Sequence, residues 1–265
     1  IKEKCFDKYG ETLKGAAKAL LEFNKGLIDA LYDIVPAVKP QAAYYEMYGP
    51  AGVKTLYKTQ EYARSKGMYV ITDGKRNDIG TTMEAYAAAH LGKVQVGSQT
   101  YEPFLGDALT VNGYLGSDGI KPLVATCRDN DKGIFVLVKT SNPSSGELQD
   151  KKIDGVTIYE TMGHMCEEWG KELPGVYGYS GVGAVVGATY PEQLKYLREK
   201  LPTTFFLIPG YGAQGAGAKD IAGAFDKNGL GGIVNSSRGI MCAYQKEKCD
   251  EHEFAEAARR EAIRM

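Results

Sequence analysis

Short apolar runs alternate along the chain with longer segments in which apolar residues recur at helical spacing. Seven runs have the length and composition of buried strands, and they are residues 34–38, 68–73, 108–112, 133–139, 183–187, 204–208 and 232–235. The helical segments are residues 11–32, 53–66, 81–90, 157–171, 219–227 and 251–264, and Thr189, Pro191 and Glu192 announce a further helix. Strands that alternate with helices form parallel sheets, so the pattern predicts an α/β fold.

The number of strand runs favours one architecture. Seven strands are one fewer than a (β/α)8 barrel needs, and such barrels typically have about 250 residues. An open sheet of seven strands would leave unprotected edges. The chain has 265 residues and shows no linker or low-complexity tract. We therefore expect a single (β/α)8 TIM-barrel domain over residues 1–265, with its first strand missing before Ile1.

Composition narrows the class of protein only a little. Charged residues make up 25% of the chain, hydrophobic residues 43%, and the formal net charge is -1. This balance is typical of a globular protein and gives no sign of a nucleic-acid or membrane partner. The five cysteines are odd in number and, like the three histidines, lack metal-ligand spacing. We expect reduced thiols, a cytoplasmic location and no metal.

Charged residues cluster where the second predicted strand ends. Asp73 and Lys75 are two residues apart, and strand alternation would point both side chains to the same side. Asp78 follows as the chain turns, and Thr81 with Glu84 fits a capping box for the next helix. Taken alone, the cluster is more often a solvated turn than an active site.

Glycine-rich and basic segments follow the last two predicted strands. In a parallel barrel these segments lie on the carboxyl face, where phosphate sites favour the last two loops. Residues 209–217 offer glycine N–H groups at a helix start, and Arg238 suits bidentate phosphate binding. Gly210-x-Gly212-x-x-Gly215 also matches a dinucleotide fingerprint. That motif needs an acidic residue about 20 positions later, where this chain has Asn and Ser.

These positions together form a pattern known from one family. The pattern consists of Lys39, Asp73-x-Lys75-x-x-Asp78, Pro209-Gly-x-Gly-x-Gln214-Gly and Arg238. With these residues the chain resembles orotidine 5'-monophosphate decarboxylase, in particular its bacterial type 2 branch. The resemblance spans about residues 11–245. The sequence segments that support this branch are Val38-Lys39-Pro40-Gln41, Lys139-Thr140-Ser141-Asn142-Pro143, Val186-Gly187-Ala188-Thr189-Tyr190-Pro191 and Asn235-Ser236-Ser237-Arg238-Gly239. The chain departs from the family's usual residues at Gly74, Asn77, Gly113 and Ala216.

The resemblance implies a reaction, an assembly and a set of site residues. It implies cofactor-free decarboxylation of orotidine 5'-monophosphate to uridine 5'-monophosphate (UMP) by a homodimer with shared active sites. Lys75 would protonate C6, and Asp78 would reach the neighbouring subunit's site. The four implied catalytic residues are Lys39, Asp73, Lys75 and Asp78. The implied substrate-binding residues are Thr82, Ser141, Pro209, Tyr211, Gln214 and Arg238.

Two other functions remain open from the residues. One is a Mg²⁺-dependent sugar-phosphate decarboxylase or aldolase of the same barrel group, which would use the Asp-x-Lys-x-x-Asp motif to hold the metal. Members of that group resemble this chain but have a glutamate where Lys39 stands, so Lys39 argues against them. The other is a non-catalytic barrel that binds a phosphorylated ligand. Such a barrel would have no need to keep Lys39, Asp73 and Lys75 together.

Overall fold

The fold is described from a computed structural model, which describes residues 2–212 and 217–265. The chain divides into two compact units. Unit 1 consists of the residues up to Gly74, together with Tyr101–Asp107 and Ser237–Met265. Unit 2 consists of Lys75–Thr100 and Ala108–Ser236. The single domain expected from the sequence stays a prediction.

Parallel strands and helices alternate through most of the described chain. The strands are β1 (Ala37–Val38), β2 (Tyr69–Arg76), β3 (Val94–Val96), β4 (Gln99–Tyr101), β5 (Ala108–Val111), β6 (Gly133–Lys139), β7 (Lys152–Ile153), β8 (Val156–Thr157), β9 (Ser180–Val186), β10 (Thr204–Pro209) and β11 (Gly232–Asn235). The helices are α1 (Lys2–Tyr9), α2 (Leu13–Leu31), α3 (Ala43–Glu46), α4 (Gly49–Ser65), α5 (Gly80–His90), α6 (Ser117–Asn130), α7 (Ile158–Gly170), α8 (Pro191–Lys200), α9 (Ala218–Ile221), α10 (Ser237–Met241), α11 (Ala243–Glu247) and α12 (Phe254–Arg264).

Apart from the antiparallel pair of β7 with β8, the strand pairing described for each unit is parallel. In unit 1, β1 pairs with β2, and Val38 lies opposite Val70. In unit 2, β5, β6, β9, β10 and β11 pair in that order, all parallel. The register between β6 and β9 shifts between Leu137 and Lys139, which is a β-bulge. Because a bulge inserts a residue into one strand only, it changes the direction in which the next side chain points.

Each unit has its own hydrophobic core. In unit 2, side chains from β5, β6, β9 and β10 pack against helices α5 to α8, and Leu109, Ile134 and Phe206 are almost fully buried. Burying a side chain of this size stabilises the fold by about 1.5–3 kcal/mol. Unit 1 has smaller clusters, one of which joins α2 to α12 through Leu27, Leu31 and the neighbouring apolar residues.

All seven predicted strands are confirmed, although the first is only β1. Two details differ from the predictions. The predicted capping box at Thr81 and Glu84 is wrong, because α5 begins one residue earlier and its N-cap is Ile79, which makes no side-chain cap. The helix expected over residues 219–227 ends at Ile221 and continues only as a single 3₁₀ turn.

Helix α6 was missing from the sequence prediction. It carries Pro122 in its interior, and a proline there removes one backbone hydrogen bond and normally marks a helix end. Its buried side chains, Ile120, Leu123, Val124 and Cys127, nevertheless fall at helical spacing and pack into the core. Tertiary burial has therefore outweighed the local cost of the proline.

The five cysteines, all within the described residues, are free thiols. Cys127 and Cys166 are buried, and burial raises the pKa of the Cys127 thiol to about 12. Such a thiol stays protonated and unreactive at neutral pH, because the thiolate is the nucleophile. None of the helices in the described part of the chain is long and apolar enough to cross a membrane.

Candidate active site

Lys39 and Asp73 form a buried ion pair in unit 1. The Lys39 ammonium donates to Asp73 Oδ2, and the two side chains are only 14% and 7% exposed. Parallel pairing of β1 with β2 brings them together across 34 residues of sequence. The Asp73 N–H donates to the Pro40 carbonyl at 3.0 Å, and Ala42 N–H donates to the Asp73 carbonyl at 3.1 Å. These backbone hydrogen bonds hold the segment just after Lys39 against Asp73.

Lys75 has an unusual backbone at the end of β2. Its φ is +46°, in the left-handed region that a non-glycine residue adopts at a cost of roughly 1–2 kcal/mol. Its N–H donates to Thr110 Oγ1 on β5 at 3.1 Å, and Thr110 is buried. Strained backbone of this kind concentrates at functional sites. The side-chain alternation that placed Lys75 on the same side as Asp73 assumes an extended backbone, which Lys75 does not have.

Asp78 and Thr82 lie between β2 and the first turn of α5 in unit 2. Asp78 is half-buried, and its Oδ1 accepts from the Ile79 N–H at 2.9 Å. A Cβ added to Gly119 would lie 2.9 Å from the Asp78 carbonyl oxygen, so α6 packs tightly against this turn. Thr82 is exposed. The turn is thus held in place while the two polar side chains remain partly or fully accessible.

Ser141 lies just beyond β6 and against the end of β9. A Cβ added to Gly187 would meet Ser141 N, Cα and Cβ, each at 2.9 Å. Thr189 Oγ1 donates to the Ser141 carbonyl at 3.2 Å. Only glycine at position 187 permits this close approach, and the hydroxyl of Thr189 then fixes it.

Pro209 and Tyr211 follow the same edge of the sheet in unit 2. The Ala188 N–H donates to the Pro209 carbonyl at 2.8 Å, and Ser236 Oγ donates to the Tyr211 carbonyl at 3.3 Å. The carboxyl ends of β6, β9, β10 and β11 are therefore linked one to the next. Gln214 lies outside the described residues.

Arg238 belongs to unit 1. It lies in the short helix α10, directly after β11, and its side chain is exposed. An exposed guanidinium can bind a phosphate with two parallel hydrogen bonds.

The structure brings some of the predicted site residues together within each unit. Unit 1 contains the Lys39–Asp73 pair and Arg238, whereas unit 2 contains Lys75, Asp78, Thr82, Ser141, Pro209 and Tyr211. Sequence reasoning missed four residues that hold this second group, namely Thr110, Gly187, Thr189 and Ser236. Gly187 carried a usable signal, since glycine at a strand end often marks a close backbone approach. Thr110 gave none, because it lies inside an apolar run.

Within residues 2–212 and 217–265, no group of three or more His, Cys, Asp or Glu side chains is arranged to hold a metal ion.

Known proteins resemble this chain over most of its length. The sequence pattern of the orotidine 5'-phosphate decarboxylase / HUMPS family matches residues 12–250. The orotidine 5'-phosphate decarboxylase of Rhodopirellula baltica is 48% identical over 253 residues, which cover 94% of this chain and 83% of the relative. That of Caldicellulosiruptor bescii is 45% identical over 243 residues, which cover 92% of this chain and 80% of the relative.

Solved structures give the same result for the fold. Leishmania donovani OMP decarboxylase matches with a TM-score of 0.72 and 32% identity, over 94% of this chain and 89% of that one. Leishmania donovani UMP synthase matches with a TM-score of 0.77 and 33% identity, over 94% of this chain. The present chain spans half the length of that synthase chain. The predicted α/β-barrel fold class is confirmed by this similarity; the strand expected before Ile1 stays a prediction.

The similarity is carried by the whole chain and not by one motif. The family pattern covers residues 12–250, and both relatives are at least 45% identical over more than nine-tenths of this chain. The chain therefore belongs to the orotidine 5'-phosphate decarboxylase / HUMPS family.

Proposed function

We propose that this chain decarboxylates orotidine 5'-monophosphate to UMP, the last step of de novo pyrimidine nucleotide synthesis. Carbon dioxide leaves directly, without a cofactor, and Lys75 protonates C6. The observation that carries the proposal is the largely buried Lys39–Asp73 ion pair, whose Asp73 stands two residues before Lys75 on β2. Membership of the decarboxylase family supports the same reaction.

The chemistry needs charges more than it needs a nucleophile. Loss of CO2 from C6 leaves a carbanion that the pyrimidine ring does not delocalise, so its stabilisation must come from fixed charges. Asp73, held by Lys39, faces the departing carboxylate, and the Lys75 ammonium is the proton donor. Binding energy from the distant phosphate can then hold the reacting ring in place.

The remaining residues bind the nucleotide. Ser141 contacts the pyrimidine amide, and Thr82 contacts the ribose. Pro209, Tyr211, Gln214 and Arg238 form the phosphate site. The close approach of Ser141 to Gly187 and the hydrogen bond from Ser236 to the Tyr211 carbonyl support a rigid placement of Ser141 and Tyr211.

Product analysis tests the reaction. Purified protein incubated with orotidine 5'-monophosphate should release CO2 and UMP in equal amounts, and the yield should not change when EDTA is present. Absence of UMP, together with Mg²⁺-dependent conversion of a phosphorylated sugar acid, would assign the chain to the sugar-phosphate side of the family instead.

Arg238→Ala is expected to lower kcat/KM for orotidine 5'-monophosphate by roughly 10- to 100-fold, because a charge-assisted hydrogen bond to phosphate contributes about 1.5–3 kcal/mol. Steady-state kinetics measures the change. Arg64→Ala is the matched control, since Arg64 is an exposed arginine in unit 1 that pairs with Glu102. Equal kinetics for the Arg238 variant and the control would show that Arg238 does not bind the phosphate.

Gly187→Ala is expected to displace Ser141 and raise KM for the substrate by about tenfold, with a loss of about 1–3 kcal/mol in the free energy of unfolding from overpacking. Urea unfolding and steady-state kinetics measure both effects. Gly223→Ala is the control, because its new Cβ would meet Lys195 Cβ at the same 2.9 Å, away from Ser141. If both variants change KM equally, crowding alone is responsible.

We also propose that the enzyme is a cytoplasmic homodimer in which Asp78 completes the neighbouring subunit's site. The family resemblance supports the dimer, and the free cysteines support a reducing compartment. Cell fractionation tests the location, and activity confined to membranes or medium would contradict it.

Mixing two inactive variants tests the shared site. Lys75→Ala and Asp78→Asn should each be inactive alone. After subunit exchange the mixture should regain roughly a quarter of wild-type activity, since half of the dimers are hybrids and each hybrid keeps one intact site. No recovery, with exchange shown by mass spectrometry, would place Asp78 in its own subunit's site.

A further inference from the structure

Lys139, at the end of β6, is a fully buried lysine. Its side chain is 0% exposed, although the residue comes directly before the polar loop that carries Ser141. A lysine is almost never fully buried unless its charge is paired. The β-bulge between Leu137 and Lys139 re-aims this side chain, since alternation alone would not set its direction there.

The Lys139 ammonium contacts the loop that follows it at two separate points. Nζ donates to Asp150 Oδ1 at 2.7 Å and to Ser145 Oγ at 3.1 Å. It also lies 4.3 Å from the centroid of the Tyr190 ring, a cation–π contact. The lysine thus joins the start of the loop to its middle and its end.

Other contacts close the same loop. Gln149 Oε1 accepts from the Thr140 N–H at 2.9 Å, and Gln149 Nε2 donates to Thr140 Oγ1 at 2.8 Å. Ser145 Oγ donates to the Tyr190 hydroxyl at 3.3 Å, and that hydroxyl donates to the Asn142 carbonyl at 3.4 Å. Ser141 lies between these two sets of contacts. Among the groups that make them, Lys139 is the buried cation.

We propose that Lys139 is a positioning residue, which through Asp150 and Ser145 holds Ser141 where it recognises the pyrimidine base. Lys139 does not touch the substrate. It holds the loop through Ser145 and Asp150, while Gly187 and Thr189 contact Ser141 directly. This inference rests on the proposed function. It adds a determinant of base recognition, distinct from the charges that carry out the decarboxylation.

Lys139→Met is the variant that isolates this role. Methionine has a similar length and fills the buried space, and the Asp150 carboxylate that loses its partner is 42% exposed, so water can solvate its charge. Asp150→Asn is a second variant for the case that the first does not fold, because it removes a charge from a side chain that is 42% exposed and leaves an amide oxygen that can still accept from the Lys139 ammonium. Lys151→Met is the control, because it removes a lysine from the same loop where the side chain is exposed.

The readout compares two competitive inhibitors, UMP and ribose 5-phosphate, which has the phosphate and the sugar but no base. With the full-length protein, Lys139→Met should raise KM for orotidine 5'-monophosphate and the inhibition constant of UMP by about tenfold, the effect of losing one well-placed hydrogen bond. The inhibition constant of ribose 5-phosphate should change less than about twofold. Asp150→Asn should show the same selectivity, and Lys151→Met should match wild type.

A double-mutant cycle shows whether Lys139 acts through Ser141. In a Ser141→Ala background, Lys139→Met should weaken UMP inhibition by less than about twofold further, since the two changes remove the same contact. Additive losses, or a parallel change for ribose 5-phosphate, would overturn the inference. Wild-type turnover separates the proposed function from this inference. If the wild type does not turn over orotidine 5'-monophosphate, both are wrong. If it does, and UMP inhibition is unchanged in both variants, only the inference is wrong.

Discussion

Lys75→Ala is expected to lower kcat by at least about 10³-fold, because it removes both the general acid and a positive charge beside the developing carbanion. The side chain is exposed, and alanine occupies the left-handed conformation at a similar cost to lysine. The melting temperature should therefore stay close to that of the wild type. Stopped assays with high enzyme concentration measure the residual rate.

Lys75→Arg separates the two contributions of the lysine. Arginine keeps the positive charge, but its pKa is above about 12, so it does not readily give up a proton. We expect this variant to remain far below wild type. Near-normal turnover would show that position 75 supplies only charge and that the proton comes from another group.

Asp73→Asn is expected to lower kcat by at least about 10³-fold as well, since one fixed charge facing the carboxylate is lost. It should also reduce the free energy of unfolding by about 3 kcal/mol, because it leaves the Lys39 ammonium buried without its partner. Urea unfolding and steady-state kinetics measure the two effects.

Two controls separate stability from catalysis at Asp73. Adding Lys39→Met to Asp73→Asn removes the unpaired charge and should restore much of the lost stability, but no activity. Asp29→Asn breaks the exposed Asp29–Lys66 pair and should cost no more than about 1 kcal/mol with normal kinetics. Activity that returns with stability in the double variant would show that the pair only supports the fold.

The order of elements followed from the sequence because burial repeats with the period of each element. β6 was predicted from an unbroken apolar run that the structure buries on both faces. The hairpins β3–β4 and β7–β8 gave no such signal, since their strands have two or three residues and are mostly exposed. Local patterns thus miss elements that no core stabilises, and they also miss α6, whose interior Pro122 normally marks a helix end.

The sequence offers the residues of the candidate site but not the contacts among them. The contact between Lys39 and Asp73 depends on the register of two parallel strands, which no local pattern fixes. The left-handed backbone of Lys75 had no sequence signal, because lysine rarely adopts it. The sequence predicts Lys139 as the last, polar residue of a strand, and only the bulge in β6 explains how its side chain is buried.

The most direct test of the account follows the loss of ultraviolet absorbance of orotidine 5'-monophosphate in the presence of EDTA. It compares wild type with Lys75→Ala, after UMP binding has shown that both are folded. We expect undiminished decarboxylation by the wild type under chelator and a collapse of the rate in the variant. Loss of wild-type activity on chelation, or a variant that remains active, would contradict cofactor-free decarboxylation with Lys75 as the acid.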